Sequence, residues 1–420
     1  MKKTLILFLI CFNLYPQISS KKIDRWVSKN ENLNGSVVSI AIKELKKNKK
    51  TYGININTYM TPASNVKILT VLGSIHFGDS IPILKYKVSR SNDTLRISPT
   101  GYPLTAHPKY IDKDLEKFIK PYSYILYHKP KIELSKYGPA WAWDDFNYYF
   151  QAERSEMPIY GNVIQVVKKS NEEIETIPDN FKINIDFKQK EKIYREEIHN
   201  NFFINPSLMK IGDTIYSPFI VSRKNTISLF KNFLNTSVKF DEQELSDYNT
   251  LNSSQVDEIY SAILKDSDNL ISESLAANIS LRLNDTISVD KGIQLIQNRF
   301  NDNISNQIQL FDGSGLSRYN LITPNALISS LENIYQLIGL ERIKNIFPKN
   351  YILKEREDFV WGKTGTLRNN HNYSGYIITD KGRIYVFSIM INHFTNDLSK
   401  IKEAIADFLI YLKSGRDRPN

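Results

Sequence analysis

Cysteine is almost missing from this chain: 420 residues contain one, Cys11, and it lies in an apolar opening stretch. With that stretch read as a removable leader, the mature chain has no thiol, which excludes cysteine nucleophiles, thiolate metal sites and disulfide stapling. Histidine is scarce too. The six, His76, His107, His128, His199, His371 and His393, show no H-x-x-x-H or H-E-x-x-H spacing, so neither a metal nor another cofactor is expected. His371 falls shortly after a Lys-Thr-Gly string and reads as an ordinary loop histidine. Clustered basic charge is also lacking. The net charge is +10, but the lysines are scattered through a Lys-, Asn-, Ile- and Tyr-rich composition, so no nucleic-acid partner is expected. After the opening stretch no run of about 18 apolar residues occurs, and the mature chain is expected to have no transmembrane segment.

What is present begins with Met1-Lys2-Lys3, the apolar run Leu5 to Leu14, and Ile18-Ser19-Ser20. A charged start, a short apolar core and small residues at its end read as a secretory signal peptide over residues 1–20. The lipoprotein alternative is the weaker one, because Leu9-Ile10 ahead of Cys11 lacks the small residue lipidation signals prefer. The expectation is a soluble protein exported to the periplasm or cell envelope.

Three short strings carry chemistry: Ser64-Asn65-Val66-Lys67, Ser267-Asp268-Asn269 and Lys363-Thr364-Gly365. Alone, each has a structural reading as a helix cap, a capping turn or a surface turn. In this order they are the nucleophile, proton-relay and carboxylate-binding elements of a penicillin-interacting serine acyl-transferase. Ser64 precedes an apolar run at helical spacing (Val66, Ile68, Leu69, Val71, Leu72) and so opens a helix that runs to about His76. Positions i and i+3 share a helix face, which sets Lys67 beside Ser64. Desolvated and near the charge of Lys363, Lys67 gains the lowered pKa a general base needs. Free N–H groups at the helix start suit an oxyanion, with the Thr366 backbone as second donor. Ser267 is read as relaying a proton between Lys67 and the leaving amine, and Asn269 as holding Lys67 and the substrate amide. Lys363, Thr364 and Thr366 offer a cation and two hydroxyls to a terminal carboxylate, while Gly365 lets a peptide lie close to the strand.

Around these strings, Gly35 to Ile42 and Tyr52 to Tyr59 read as extended segments. The stretch to about 255 is a patchwork of strand-like pieces, among them Tyr86 to Val88, Thr94 to Ile97, the alternating Phe181, Ile183, Ile185 and Phe187, and Phe219 to Val221. Beyond Val256 the pattern turns helical on either side of Ser267. Helices are expected over Gln294 to Phe300, Pro324 to Leu337 and Lys402 to Leu412, strands over Tyr373 to Thr379 and Arg383 to Asn392. Ser64 and Ser267 must meet in one cleft although far apart in sequence, so a module is inserted between them. The fold class is α/β (α+β): a transpeptidase-like sheet with helices on both faces, built from 21–76 and 256–420, carrying a large β-rich insertion over 77–255.

Pro62-Ala63-Ser64-Asn65-Val66-Lys67, Ser267-Asp268-Asn269-Leu270, Asp312-Gly313-Ser314-Gly315-Leu316-Ser317-Arg318 and Lys363-Thr364-Gly365-Thr366-Leu367 together resemble peptidase family S13, the D-alanyl-D-alanine carboxypeptidase/endopeptidases of the penicillin-binding protein 4 type. Trp141-Ala142-Trp143-Asp144-Asp145 is similar to a Trp-Pro-Trp-Asp-Asp element of that family's inserted region. The resemblance implies hydrolysis of D-Ala-D-Ala bonds in peptidoglycan stem peptides, β-lactams as covalent inhibitors, and a role for Asp145 in reading the free amine of the stem's diamino acid. The residues by themselves give Trp141 and Trp143 as a packed aromatic pair, and Asp144 or Asp145 as the cap of a helix over Phe146 to Phe150. Two rival readings stand: a β-lactamase or esterase on the same fold, for which no glutamate-bearing loop is recognisable, and a catalytically idle peptidoglycan-binding envelope protein.

Overall fold

A computed structural model of the chain describes residues 19–46, 49–89, 93–350, 352–353 and 357–414 except 305–307, with the backbone alone for 301–304. The expected leader, with Cys11, lies outside these residues except for Ser19 and Ser20. Those two open the Ser20–Lys29 helix, where the Ser19 hydroxyl accepts from Lys22 N.

Both ends of the described chain meet in one sheet. Its five strands run in the order Val360–Leu367, Asn370–Ile378, Ile384–Asn392, Val37–Glu44 and Tyr52–Ile54, and every neighbouring pair is antiparallel. Alternation divides the side chains between two faces. Val38, Ile40, Ile42, Phe387, Ile389 and Ile391 pack against the Leu398–Ser414 helix through Ile401, Ile405, Phe408 and Leu409. Ala41, Val386 and Met390 face the other way, into a cluster with the Val66–His76 and Pro324–Ile346 helices. The latter helix outruns the expected Leu337 end, because Gly339 (φ 71°) absorbs a kink inside it.

That second cluster does not stop at the helices. It continues through Ile83, Leu84, Leu95, Ile97, Ile125 and Tyr127 into a second five-stranded sheet ordered Ser237–Asp241, Tyr124–His128, Thr94–Pro99, Pro82–Val88 and Asn249–Asn252. Two three-stranded sheets complete the 77–255 stretch. Lys182–Ile185 is the strand read from alternation, but Phe219 to Val221 is not a strand: it follows Thr214–Pro218, the strand that pairs with Val163–Lys168. Phe219 is apolar because it is buried beside Phe181, not because it lies in a sheet. The Tyr52 to Tyr59 extension is likewise shorter than expected and ends at Ile54.

Candidate active site

Ser64 sits on a turn that the surrounding chain forces into shape. Ala63 has φ 48°, in the left-handed region that non-glycine residues avoid, and a single 3-10 turn, Ala63–Asn65, leads into Val66–His76. Two glycines press on this turn. A Cβ on Gly315 would collide with the Ala63 carbonyl, and one on Gly365 would meet the Pro62 carbonyl and stand 3.0 Å from Ser64 N. Asparagines fix the approach to the turn: Asn392 Oδ1 accepts from Thr61 N (2.7 Å), and Asn372 Nδ2 donates to Thr61 O (3.0 Å). The nucleophile turn is therefore tied to strands more than 300 residues away, a positional constraint of the kind a reacting group requires.

Helical spacing brings Lys67 Nζ to 3.1 Å from Ser64 Oγ. The same ammonium donates to Asn269 Oδ1 and to Ser314 O, each at 2.6 Å. Lys67 has no exposed surface, and burial pulls its pKa down to about 8, although Asp312, Glu273 and Asp268 pull the other way. Lys363, also buried, is pushed well below the usual lysine range, by burial first and by the charge of Lys67 second. Two amines thus share a dry pocket, and only Lys67 has carboxylates that favour its charged form.

Ser267 is placed differently from the expectation. Its backbone is left-handed (φ 61°), and its hydroxyl accepts from Lys363 Nζ at 2.9 Å. Among the described residues no hydrogen bond joins it to Lys67. Asp268 caps the Asn269–Asn284 helix by accepting from Ile271 N, and this cap directs Asn269 toward Lys67. Asn269 Nδ2 in turn donates to Phe150 O at 2.8 Å.

Lys363, Thr364, Gly365 and Thr366 lie on the edge strand of the first sheet. Gly362 N donates outward to Pro348 O (3.0 Å), so strand alternation turns the Thr364 and Thr366 N–H groups to that same free edge. Thr366, itself exposed, is paired in register with His371. His371 is not in a loop: it belongs to the Asn370–Ile378 strand and is fully buried. The polar run after the Lys-Thr-Gly string hid a strand whose asparagines and histidine are satisfied by the site.

The 141–150 segment departs from what its residues suggested. Trp141 and Trp143 do not pack as a pair. Trp141 Nε1 donates to Asp312 Oδ2 (2.9 Å) and its ring lies 4.9 Å from the Arg154 guanidinium, whereas Trp143 is 73% exposed. No helix covers 146–150. Two 3-10 turns, Trp143–Asn147 and Tyr149–Gln151, stand there, and neither Asp144 nor Asp145 caps the first. Asp145 is partly buried and its carboxyl is raised, by burial and by Asp144, with Arg318 opposing.

Two further residues at the site gave little warning. Glu273 is fully buried, takes 2.6 Å from Arg154 Nη2 and accepts from Gly313 N (3.0 Å). One acid inside the apolar run Leu270, Ile271, Leu275 was its signal; Arg154 had none. Asp312 binds Gly315 N, Ser317 N, Asn320 and Trp141, and so holds the loop whose Ser314 carbonyl receives Lys67.

Residues 233–411 match the model of the D-Ala-D-Ala carboxypeptidase 3 (S13) family. By this segment the chain belongs to the S13 family. Two curated relatives are similar to it: "D-alanyl-D-alanine carboxypeptidase DacB" of Haemophilus influenzae, 31% identical over 34% of the chain, and "Penicillin-sensitive carboxypeptidase A" of Dictyostelium discoideum, 27% identical over 38%. The chain spans about a third of the length of each, 33% and 34%. Among solved structures, penicillin binding protein 4 (dacB) of H. influenzae aligns over 95% of this chain and 100% of its own, with TM-score 0.71 at 18% identity. The fold of the S13 segment and of the inserted stretch is thus that of this protein, which has also been solved in complex with a β-lactam. Among the described residues no helix is long and apolar enough to cross a membrane, and no cluster of three or more His, Cys, Asp or Glu is placed to hold a metal.

Proposed function

We propose that the chain is a penicillin-binding serine D,D-peptidase of the cell envelope that cleaves the terminal D-Ala-D-Ala bond of peptidoglycan stem peptides, and D-alanyl cross-links, through an acyl-enzyme on Ser64. The catalytic unit in this reading is 21–76 with 256–420, and 77–255 is the inserted module. The observation that carries the reading is the 3.1 Å contact between Ser64 Oγ and the buried, pKa-depressed Nζ of Lys67.

Neutral Lys67 takes the Ser64 proton as Oγ attacks the carbonyl carbon of the penultimate D-Ala. The developing oxyanion lies between the N–H groups of Ser64 and Thr366. As the C–N bond breaks, the Ser267 hydroxyl, itself accepting from Lys363, donates a proton to the leaving amine. The role first given to a Lys67–Ser267 relay therefore passes to Lys363 and Ser267. The substrate's terminal carboxylate docks beside Lys363, Thr364 and Thr366. It favours the Lys363 ammonium, and that charge then favours neutral Lys67. Water hydrolyses the resulting ester. Gly365 admits the peptide backbone at the strand edge, and Asn269 and Asp145 face the stem from the other side, with Asp145 reading the free amine of the diamino acid.

The test is incubation of the purified protein with cross-linked and uncross-linked muropeptides, read by mass spectrometry, with a fluorescent penicillin as a parallel probe. Loss of one D-Ala and covalent penicillin on Ser64 are expected, both abolished by Ser64→Ala. Penicillin turned over rapidly with muropeptides untouched would instead favour the β-lactamase reading. Neither reaction, from folded protein, would leave the binding-protein reading.

A further inference from the structure

Thr366 Oγ1 lies 2.7 Å from Nδ1 of His371 across the pair of strands. The imidazole has no exposed surface, and its Nε2 is buried with no hydrogen-bonding partner among the described residues. Burial, with the charges of Lys402 and Lys363 adding to it, holds the ring pKa at about 4, so the ring is neutral and carries one proton. Two tautomers are available to it.

They place the threonine proton in opposite directions. With the ring proton on Nε2, a buried N–H goes unbonded while Nδ1 accepts from the Thr366 hydroxyl, which then turns only lone pairs toward the cleft. With the ring proton on Nδ1, the imidazole donates to Thr366 Oγ1 and the threonine keeps its own proton for a ligand. The second arrangement leaves only an unshared lone pair at Nε2. Orphaned buried N–H groups are rarer and costlier than under-used acceptors, so the Nδ1–H form is the one the surroundings select.

We propose that His371 is a positioning residue: it donates from Nδ1 to Thr366 and thereby aims the Thr366 hydroxyl proton at an anionic group lying on the strand edge, the terminal carboxylate of a peptide. This rests on the D,D-peptidase reading. It gives a buried side chain that touches no substrate a part in selecting peptides with a free carboxyl end. A hydroxyl locked the other way would present lone pairs to that carboxylate and repel it.

Steady-state kinetics on one D-Ala-D-Ala peptide and on its C-terminal amide tests the idea. His371→Phe keeps a ring but removes the donor, and is expected to raise KM for the free-carboxylate peptide about tenfold with kcat little changed and the amide unaffected. His371→Asn, whose amide N–H falls near the Nδ1 position, should recover most of the loss. In a Thr366→Val background the His371→Phe effect should vanish. Equal losses on both peptides, or a loss that persists without the threonine hydroxyl, would overturn the proposal. Should His371→Phe fail to fold, a long-range proton–nitrogen NMR correlation on wild-type protein labelled at histidine nitrogen decides it: a proton on Nδ1 supports the proposal, one on Nε2 ends it. Wild-type protein that is not acylated by penicillin and cleaves neither peptide would instead remove the parent reading, and active wild type matched by His371→Phe would remove this inference alone.

Discussion

The two walls of the cleft are held in place by different means. The wall drawn from the chain ends is a closed set of polar contacts: Lys67 on Ser64, Asn269 and Ser314 O, and Lys363 on Ser267 and Thr364 O. The wall drawn from 141–154 is tied down at Trp141, Arg154 and Phe150 O, while Trp143, Tyr148 and Tyr149 remain exposed. Buried charges tolerate no misplacement, because each one left unpaired costs several kcal/mol. An exposed aromatic carries no such penalty and is free to follow its ligand. The first wall is therefore expected to answer substitutions with loss of chemistry or of fold, the second with changes in preference.

The sharpest break of that contrast is Lys67→Arg. A guanidinium stays protonated at any working pH, so acylation by fluorescent penicillin should fall by about a thousandfold or more, while the melting temperature shows a folded protein. Near-normal labelling would move the base elsewhere. Gly315→Ala comes next. Its Cβ collides with the carbonyl of Ala63 and must shift the nucleophile turn, so labelling of the variant should drop about a hundredfold, whereas Gly212→Ala, on a turn with nothing within 4 Å, should label as wild type does.

Glu273→Gln probes the join between the walls. It leaves Arg154 buried without its carboxylate, and about 3–5 kcal/mol of stability should be lost, read as a lower denaturant midpoint. A change below about 1 kcal/mol would show that the ion pair offsets no more than its own desolvation. The smallest effect belongs to the second wall. Asp145→Asn should lower kcat/KM about tenfold for stem peptides bearing a free side-chain amine, the worth of one charge-assisted contact, and leave penicillin acylation and amine-free D-Ala-D-Ala peptides nearly unchanged. An equal fall on all three would return Asp145 to a structural role.

The same contrast explains what could be read from the residues alone. Ser64 and Lys67 were legible because helical geometry relates positions three apart wherever the helix lies. The strands at both chain ends were legible because apolar alternation reports a sheet packed on both faces. The meeting of Ser267 with Lys363 rather than Lys67 was not, since a left-handed backbone at Ser267 redirects the hydroxyl and no local pattern encodes that. His371 looked like a loop residue because a polar strand lining a site lacks the apolar run that marks a strand. Trp141 and Trp143, two residues apart, looked equivalent, yet one clamps Asp312 and the other faces solvent; only the distant loop that holds Asp312 separates them. Arg154 gave no signal at all, because its partner Glu273 is 119 residues away.

The central claim is that a neutral Lys67 amine activates Ser64, and the pH dependence of acylation tests it most directly. An activated D-alanyl ester without a carboxylate is the suitable acylating agent, since it places no demand on Lys363. Below a pKa of about 8 Lys67 holds its proton and has no lone pair for the serine; above it the base is free. Acylation followed by intact mass should therefore climb about tenfold per pH unit through the neutral range and level off near pH 8. A rate that is flat across that range, or that falls as pH rises, would contradict the account.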